Sequence, residues 1–295
     1  MANFEAKGLG VALVTPFKKD KNIDYDGLKK ITDHVISGGA DFLVVLGTTA
    51  ETPALFPEEK RDILKFVKEY VDYRVPLVLG LGSNCTAALL KELKETDLEG
   101  YSAILSVVPF YNKPTQAGIY NHFKELAKVS PLPIILYNVP GRTGVNMEAS
   151  TTLKLCKEFN NIIAIKEASG KLSQIEEIIR NKPNGFNLLS GDDGITLKLM
   201  EMGASGVISV VGNALTDPFN KIVLSCSQGK FDEANGYNNR FAEFYDLMFK
   251  DGNPAGIKCA LHCLGLIENE LRLPLLPVEQ DTCSLIKQAI NKLVI

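Results

Sequence analysis

No excess of basic charge runs through this chain: 32 lysines and arginines stand against 35 aspartates and glutamates, a formal net charge of −3. Without a basic stripe, and without arginines interleaved among aromatics, nothing tracks a phosphate backbone, so no nucleic-acid partner is expected. Long apolar runs are also missing. No stretch of eighteen apolar residues occurs, which leaves no expected membrane span and no membrane partner. The opening Met1-Ala2-Asn3-Phe4-Glu5-Ala6-Lys7-Gly8 lacks the basic-then-apolar pattern of an export signal, and a cytoplasmic location is the expectation. Cysteine is sparse. Six residues, at 85, 156, 226, 259, 263 and 283, lack the dense spacing of a disulfide framework and read as reduced, mostly buried thiols. Cys259, His262 and Cys263 share one helix face at i, i+3 and i+4, but would hold zinc only if another element supplied a fourth ligand. Packing is the simpler reading, and no metal site is expected.

What is present is a repeating pattern in a chain of 45% hydrophobic content, enough to bury one large core. Apolar runs recur at a spacing of roughly thirty residues, each followed by an amphipathic stretch, as in βα units on a parallel sheet. Eight strands are expected: Leu9 to Val14, Phe42 to Leu46, Leu77 to Leu81, Ala103 to Val107, Ile134 to Tyr137, Ile162 to Lys166, Asn187 to Leu189 and Gly206 to Val210. Helical faces lie between them. Tyr25 to Ser37 ends at Gly38-Gly39, and Pro57 to Val71 carries Glu58 and Glu59 in its first turn. Eight such units close into an α/β fold, a (β/α)8 TIM barrel over residues 1–225. A doubly wound open sheet is the alternative, but it would place a glycine-rich phosphate turn after the first strand, where this chain has Val14-Thr15-Pro16-Phe17. Beyond residue 225 three helices are expected, Phe231 to Phe249, Gly256 to Leu266 and Cys283 to Leu293, which form a C-terminal helical domain over 226–295. No linker rich in Gly, Ser or Pro separates it from the barrel.

One strand holds an ionisable residue where the pattern calls for an apolar one. Lys166 stands near the end of Ile162-Ile163-Ala164-Ile165-Lys166-Glu167-Ala168-Ser169-Gly170. A lone ammonium in low dielectric is costly, so such a side chain is paired, reaches solvent, or loses its proton. The placement favours an unprotonated amine, which a carbonyl-attacking lysine requires. A strand end paired with Glu167 is the structural alternative. Barrel chemistry sits where strands end, and those positions are rich in functional groups here. They include Gly47-Thr48-Thr49-Ala50-Glu51, Pro109-Phe110-Tyr111-Asn112, Tyr137-Asn138-Val139-Pro140-Gly141-Arg142-Thr143-Gly144, Ser190-Gly191-Asp192-Asp193 and Val207-Ile208-Ser209. Capping threonines, rim aromatics and a surface arginine would explain each singly, but not their convergence on one face with a strand lysine.

The segments around Thr48, Tyr137 and Lys166 resemble the dihydrodipicolinate synthase family of pyruvate-dependent, Schiff-base aldolases, in order and spacing from Gly10 through Asn213. The resemblance implies that Lys166 attacks the ketone of pyruvate to form an imine while Tyr137 moves the protons needed to expel water. Thr48 and Tyr111 match the family's proton relay, with Tyr111 supplied by a neighbouring subunit. Thr49, Gly191 and the backbone at Ile208 match positions on the pyruvate side, and Arg142 matches the residue that orients the carboxylate of L-aspartate 4-semialdehyde. The lysine acts as the electron sink, so no cofactor is implied, and a homotetramer built as a dimer of dimers is the family tendency.

The chain departs from that pattern in the family's lysine-inhibition site. Asn84 is kept, but Ala88 replaces a glutamate, Phe110 a tyrosine, and Pro57 and Lys60 stand where inhibitable members tend to carry histidines. Losing an anion and gaining a cation both disfavour a cationic amino acid, so weak or absent inhibition by L-lysine is expected. Ala50 in place of a glycine is a smaller change. Another lyase of the superfamily, such as N-acetylneuraminate lyase, is the nearest alternative, and Arg142 speaks against it. A non-catalytic keto-acid-binding barrel would need no relay, and a sugar-phosphate barrel would not carry Asp192 and Asp193 in its phosphate loop.

Overall fold

The computed structural model of the chain describes residues 4–293. Strands and helices alternate from the start: β1 (Gly8–Ala12), α1 (Tyr25–Ser37), β2 (Phe42–Val45), α2 (Pro57–Val71), β3 (Leu77–Gly80), α3 (Thr86–Glu95), β4 (Tyr101–Val107) and α4 (Gln116–Val129). The second half continues with β5 (Ile134–Asn138), the short α5 (Pro140–Thr143), α6 (Ala149–Glu158), β6 (Ile162–Glu167), α7 (Leu172–Asn181), β7 (Asn187–Ser190), α8 (Thr196–Glu201), β8 (Gly206–Ser209) and α9 (Thr216–Ser227). Four more helices follow, α10 (Phe231–Arg240), α11 (Ala242–Lys250), α12 (Ala255–Cys263) and α13 (Gln280–Leu293). Each strand pairs in parallel with its neighbours, and β1 pairs with both β2 and β8, which closes the sheet into an eight-stranded barrel.

All eight expected strands form, with boundaries displaced by one or two residues. The first ends at Ala12 rather than Val14 because the Val14 N–H donates to Asn213 Oδ1 (3.2 Å) instead of a strand neighbour. Closure demands a close approach at Gly206, where a Cβ would lie 2.1 Å from the Gly8 carbonyl oxygen. Helix starts follow local chemistry: Asp24 accepts from the Gly27 N–H at the head of α1, and Glu59 reaches back to the Phe56 N–H at the head of α2.

The tail departs from expectation in one respect. The helix expected over Phe231 to Phe249 is two, because the Phe241 N–H donates to the Asn238 carbonyl oxygen three residues back (2.9 Å) and interrupts the i−4 ladder, while its buried ring packs 5.8 Å from that of Phe219 and 5.6 Å from that of Tyr245. Position 225, where a division is expected, lies inside α9. The tail helices share one apolar layer with the barrel helices, in which Phe219, Phe241, Ile257 and Ile286 are all buried. Thiol burial also differs: Cys156, Cys226 and Cys259 are buried, Cys263 and Cys283 half-buried, and Cys85 exposed. His262 leaves the expected three-residue cluster, its Nδ1 lying 3.0 Å from the Ile267 carbonyl oxygen. Among the described residues, no helix is long and apolar enough to cross a membrane.

Inside the barrel a second apolar cluster stacks Phe42, Val44, Val78, Leu105, Ile135 and Leu189, with Tyr137 and Ile208 in the same set. Period-two alternation puts these side chains inward and sends Leu43, Leu136, Ile165 and Leu188 to the helical layer.

His122 on α4 is buried between that helix and α3, its Nδ1 2.9 Å from Thr86 Oγ1. Burial pulls its pKa from 6.5 down to about 4. Between those values the unfolded chain binds a proton that the folded chain refuses, so stability is full above pH 6.5 and falls as the pH drops toward 4. A His122→Phe variant is expected to remove roughly 3 kcal/mol of that acid-dependent loss. Urea unfolding at pH 7, 5.5 and 4 reads the difference, and parallel curves for the two proteins would contradict it.

Candidate active site

Strand register gathers the central residues. Val107 pairs with Tyr137, Tyr137 with Lys166, and Lys166 with Leu189, so the C-terminal ends of β4 to β7 stand side by side. Lys166 shares inward parity with Ala164 and is only 5% exposed, and its Nζ lies 4.6 Å from the centroid of the Tyr137 ring. Glu167 takes the opposite parity. Its carboxylate accepts from the Ser169 N–H (2.7 Å), from Asn138 Nδ2 (3.1 Å) and from Gln174 Nε2 (3.2 Å), which ties β5 to β6 and leaves Lys166 without the partner considered from sequence. Burial raises the pKa of that carboxyl group.

Gly191 forms one wall of this site. A Cβ there would meet Lys166 Cγ and Cε at 3.1 Å and Ala168 Cβ at 2.7 Å, so any side chain would displace the lysine stem. Ile208 is buried on β8, and the strand end beyond it is held by Asp193 Oδ2, which accepts from the N–H groups of Val210 and Val211 at 2.9 Å each. Asn213 continues the seam, with its Nδ2 donating to the Ala12 and Val210 carbonyl oxygens.

The remaining candidates lie on the rim. Thr48 and Thr49 occupy a tight turn after β2; Thr49 is buried and accepts from Asn253 Nδ2 (3.4 Å), whereas Thr48 is exposed. Arg142 is exposed on α5. Tyr111 is 83% exposed, with φ at +73° and its N–H donating to the Thr143 carbonyl oxygen (3.3 Å). Lys166, Tyr137, Gly191 and Ile208 thus line the barrel interior, while Thr48, Tyr111 and Arg142 stay at its solvent edge within one chain.

Sequence reasoning missed the residues that hold the Thr48–Thr49 turn. Glu51, in the left-handed region at φ 54°, is fully buried and pairs with the equally buried Lys258 of α12. Lys258 also donates to the Glu270 carbonyl oxygen (2.9 Å), and the Arg272 N–H donates to Glu51 Oε2 (3.0 Å). The Arg272 guanidinium grips Glu59 with two bonds of 2.6 Å, and both cations face the Phe17 ring. Burial pulls the Lys258 amine down to about 8 against the opposing pull of Glu51. The available signal was a lone charge inside Ile257-Lys258-Cys259-Ala260-Leu261, the same anomaly that marks Lys166.

An eight-stranded parallel barrel with a buried lysine and tyrosine at its C-terminal mouth is the architecture of an aldolase-type lyase. The chain belongs to the Dihydrodipicolinate synthetase family, whose sequence profile matches residues 5–293. It is 53% identical to the 4-hydroxy-tetrahydrodipicolinate synthase of Parabacteroides distasonis over 295 residues, covering 100% of this chain and 99% of the relative. The synthase of Phocaeicola vulgatus is 52% identical with the same coverage. Among solved structures, the 4-hydroxy-tetrahydrodipicolinate synthase of Methylacidiphilum fumariolicum SolV superposes with a TM-score of 0.94 at 34% identity, covering 98% of this chain and 96% of that one.

Removing one partner of a buried ion pair leaves the other uncompensated. Lys258→Met is expected to cost about 3–5 kcal/mol in denaturant unfolding and to lower turnover by loosening the turn that carries Thr48. Unfolding midpoints and kcat measured on the same preparation check both effects; unchanged turnover in the folded variant would separate the pair from the site.

Proposed function

We propose that this chain performs the 4-hydroxy-tetrahydrodipicolinate synthase reaction, condensing pyruvate, held as an imine on Lys166, with L-aspartate 4-semialdehyde in diaminopimelate and lysine biosynthesis. The observation that carries this reading is a buried, inward lysine over the Tyr137 ring, with its neighbouring glutamate turned to the opposite face. The amine attacks the ketone carbon, the carbinolamine loses water, and loss of a methyl proton gives an enamine that attacks the aldehyde. Amine addition and water loss each require a proton to move at the reacting centre, which suits a phenol held beside the amine. Tyr137 takes that role, and Thr48 and Tyr111 connect it to solvent. Thr49, Gly191 and the Ile208 backbone hold pyruvate, and the Arg142 fork takes the semialdehyde carboxylate. The electron sink is the imine itself, so the mechanism uses neither organic cofactor nor metal.

Tyr111 fits this scheme only in an assembly. Exposed as it is on one chain, it serves as a relay if it enters the site of a partner, which requires at least a dimer and accords with a homotetramer built as a dimer of dimers. The proposed arrangement is a catalytic barrel over 1–225 with the helical domain 226–295 braced against it, working in the cytoplasm. The exposed Ala88, beside the exposed Asn84, supplies no anion for a cationic effector, and feedback by L-lysine is weak or absent.

Borohydride reduction in the presence of pyruvate tests the chemistry. One reduced pyruvyl adduct, mapped to Lys166 and absent from Lys166→Ala, is the expected outcome. Tyr137→Phe keeps the adduct but turns over about 10²–10⁴-fold more slowly. No adduct on the folded protein would leave a keto-acid-binding barrel, and faster cleavage of sialic acid than condensation would point to the sugar-acid lyases.

Subunit mixing tests the relay. Tyr111→Phe and Lys166→Ala chains, each nearly inactive alone, are expected to recover activity when combined, because the mixed dimer contains one site with both groups intact. Absence of recovery in verified mixed dimers would make each site self-contained.

A further inference from the structure

The tail helices bring together three thiols for which the reaction has no use. Cys259 and Cys263 lie one turn apart on α12, and Cys283 faces them from the first turn of α13, the sulfurs all within 4.8 Å of one another. We infer that Cys259, Cys263 and Cys283 form a binding site for a thiophilic divalent cation of the zinc group, built from residues that the proposed Lys166 chemistry does not use.

Three sulfur donors converge within reach of a single ion. Cys259 Sγ and Cys283 Sγ lie 2.8 Å apart, and side-chain rotations that separate them by about 1 Å would admit a shared ligand. Metal–sulfur bonds of about 2.3 Å in a tetrahedral site hold sulfurs about 3.8 Å apart, within the span this trio covers. Buried Cys259 forms the floor, while half-buried Cys263 and Cys283 leave a path for entry and a fourth position for water. Histidine takes no part, because His262 is engaged with the Ile267 carbonyl. An all-sulfur donor set selects soft cations over magnesium or calcium.

Binding displaces three thiol protons and leaves a site of net charge −1 around a divalent ion. Burial holds the Cys259 and Cys263 thiols above their ordinary range, so the ion itself must displace their protons, and Lys287, one turn beyond Cys283, opposes that rise at Cys263 only weakly. The occupied site would fasten α12 to α13 across a sequence separation of 24 residues, one residue away from Lys258.

The test uses the full-length protein, reduced and under argon, titrated with Cd²⁺ as a spectroscopic stand-in for Zn²⁺. A thiolate-to-metal charge-transfer band that saturates at one equivalent is expected. Cys283→Ser and Cys259→Ser are each expected to weaken binding by at least about a hundredfold, while Cys85→Ser leaves it unchanged. Alkylation mapping of the wild-type chain, with and without Zn²⁺, gives a readout that needs no variant: Zn²⁺ shields the half-buried Cys263 and Cys283 and leaves the exposed Cys85 reactive. Absorption that never saturates, a band unaltered in Cys283→Ser, or equal alkylation of Cys263 and Cys283 with and without Zn²⁺ would overturn the site. None of these readouts involves catalysis, so their failure is distinct from failure of the proposed reaction.

Discussion

The pairing of β1 with β8 closes the sheet, and once the sheet is closed the parity of each strand decides which side chains share the interior. A shift of one residue in any register would exchange the inward and outward sets. Tyr137 and Lys166 are therefore neighbours because two parallel strands are in register, not because of a local turn or loop. The same constraint turns Glu167 away from Lys166 and into the bonds that tie β5 to β6. A glutamate adjacent in sequence thus serves as a brace without neutralising the amine.

The two buried lysines meet opposite fates, and the contrast shows how position sets chemistry. Lys258 is enclosed by the tail, with a carboxylate, a carbonyl and an aromatic face around it, so its charge works structurally. Lys166 sits at the barrel mouth against an aromatic ring and the wall at Gly191. The first joins the tail to the turn bearing Thr48 and Thr49; the second lies inside the barrel beside Tyr137. The helical tail is thereby mechanically connected to the site through Glu51.

Much of the barrel was legible in advance because parallel strands covered on both faces read as continuous apolar runs, and helix ends carry local capping chemistry. Tyr25 to Ser37 and Pro57 to Val71 match the observed helices residue for residue for that reason. The break at Phe241 was not legible. Nothing in the local sequence marks a stop there, and the joint is a tightened backbone turn at Phe241 whose ring packs on Phe219 of another helix. The thiol cluster was only partly legible for the same kind of reason: helical spacing groups Cys259 with His262, but only packing brings in Cys283 and turns the histidine aside.

The chain by itself determined the eight βα units, the strand-end groups and the anomalous lysines, since period, capping and a charge in an apolar run are all local properties. Tertiary structure decided which of those groups meet. It aligned Lys166 with Tyr137 through strand register, placed Gly191 against the lysine stem, and left Tyr111 exposed on the rim. It also enclosed Glu51 with Lys258 across 207 positions of sequence. Such contacts depend on closing long loops and excluding water around two charges, and no window of sequence contains that information.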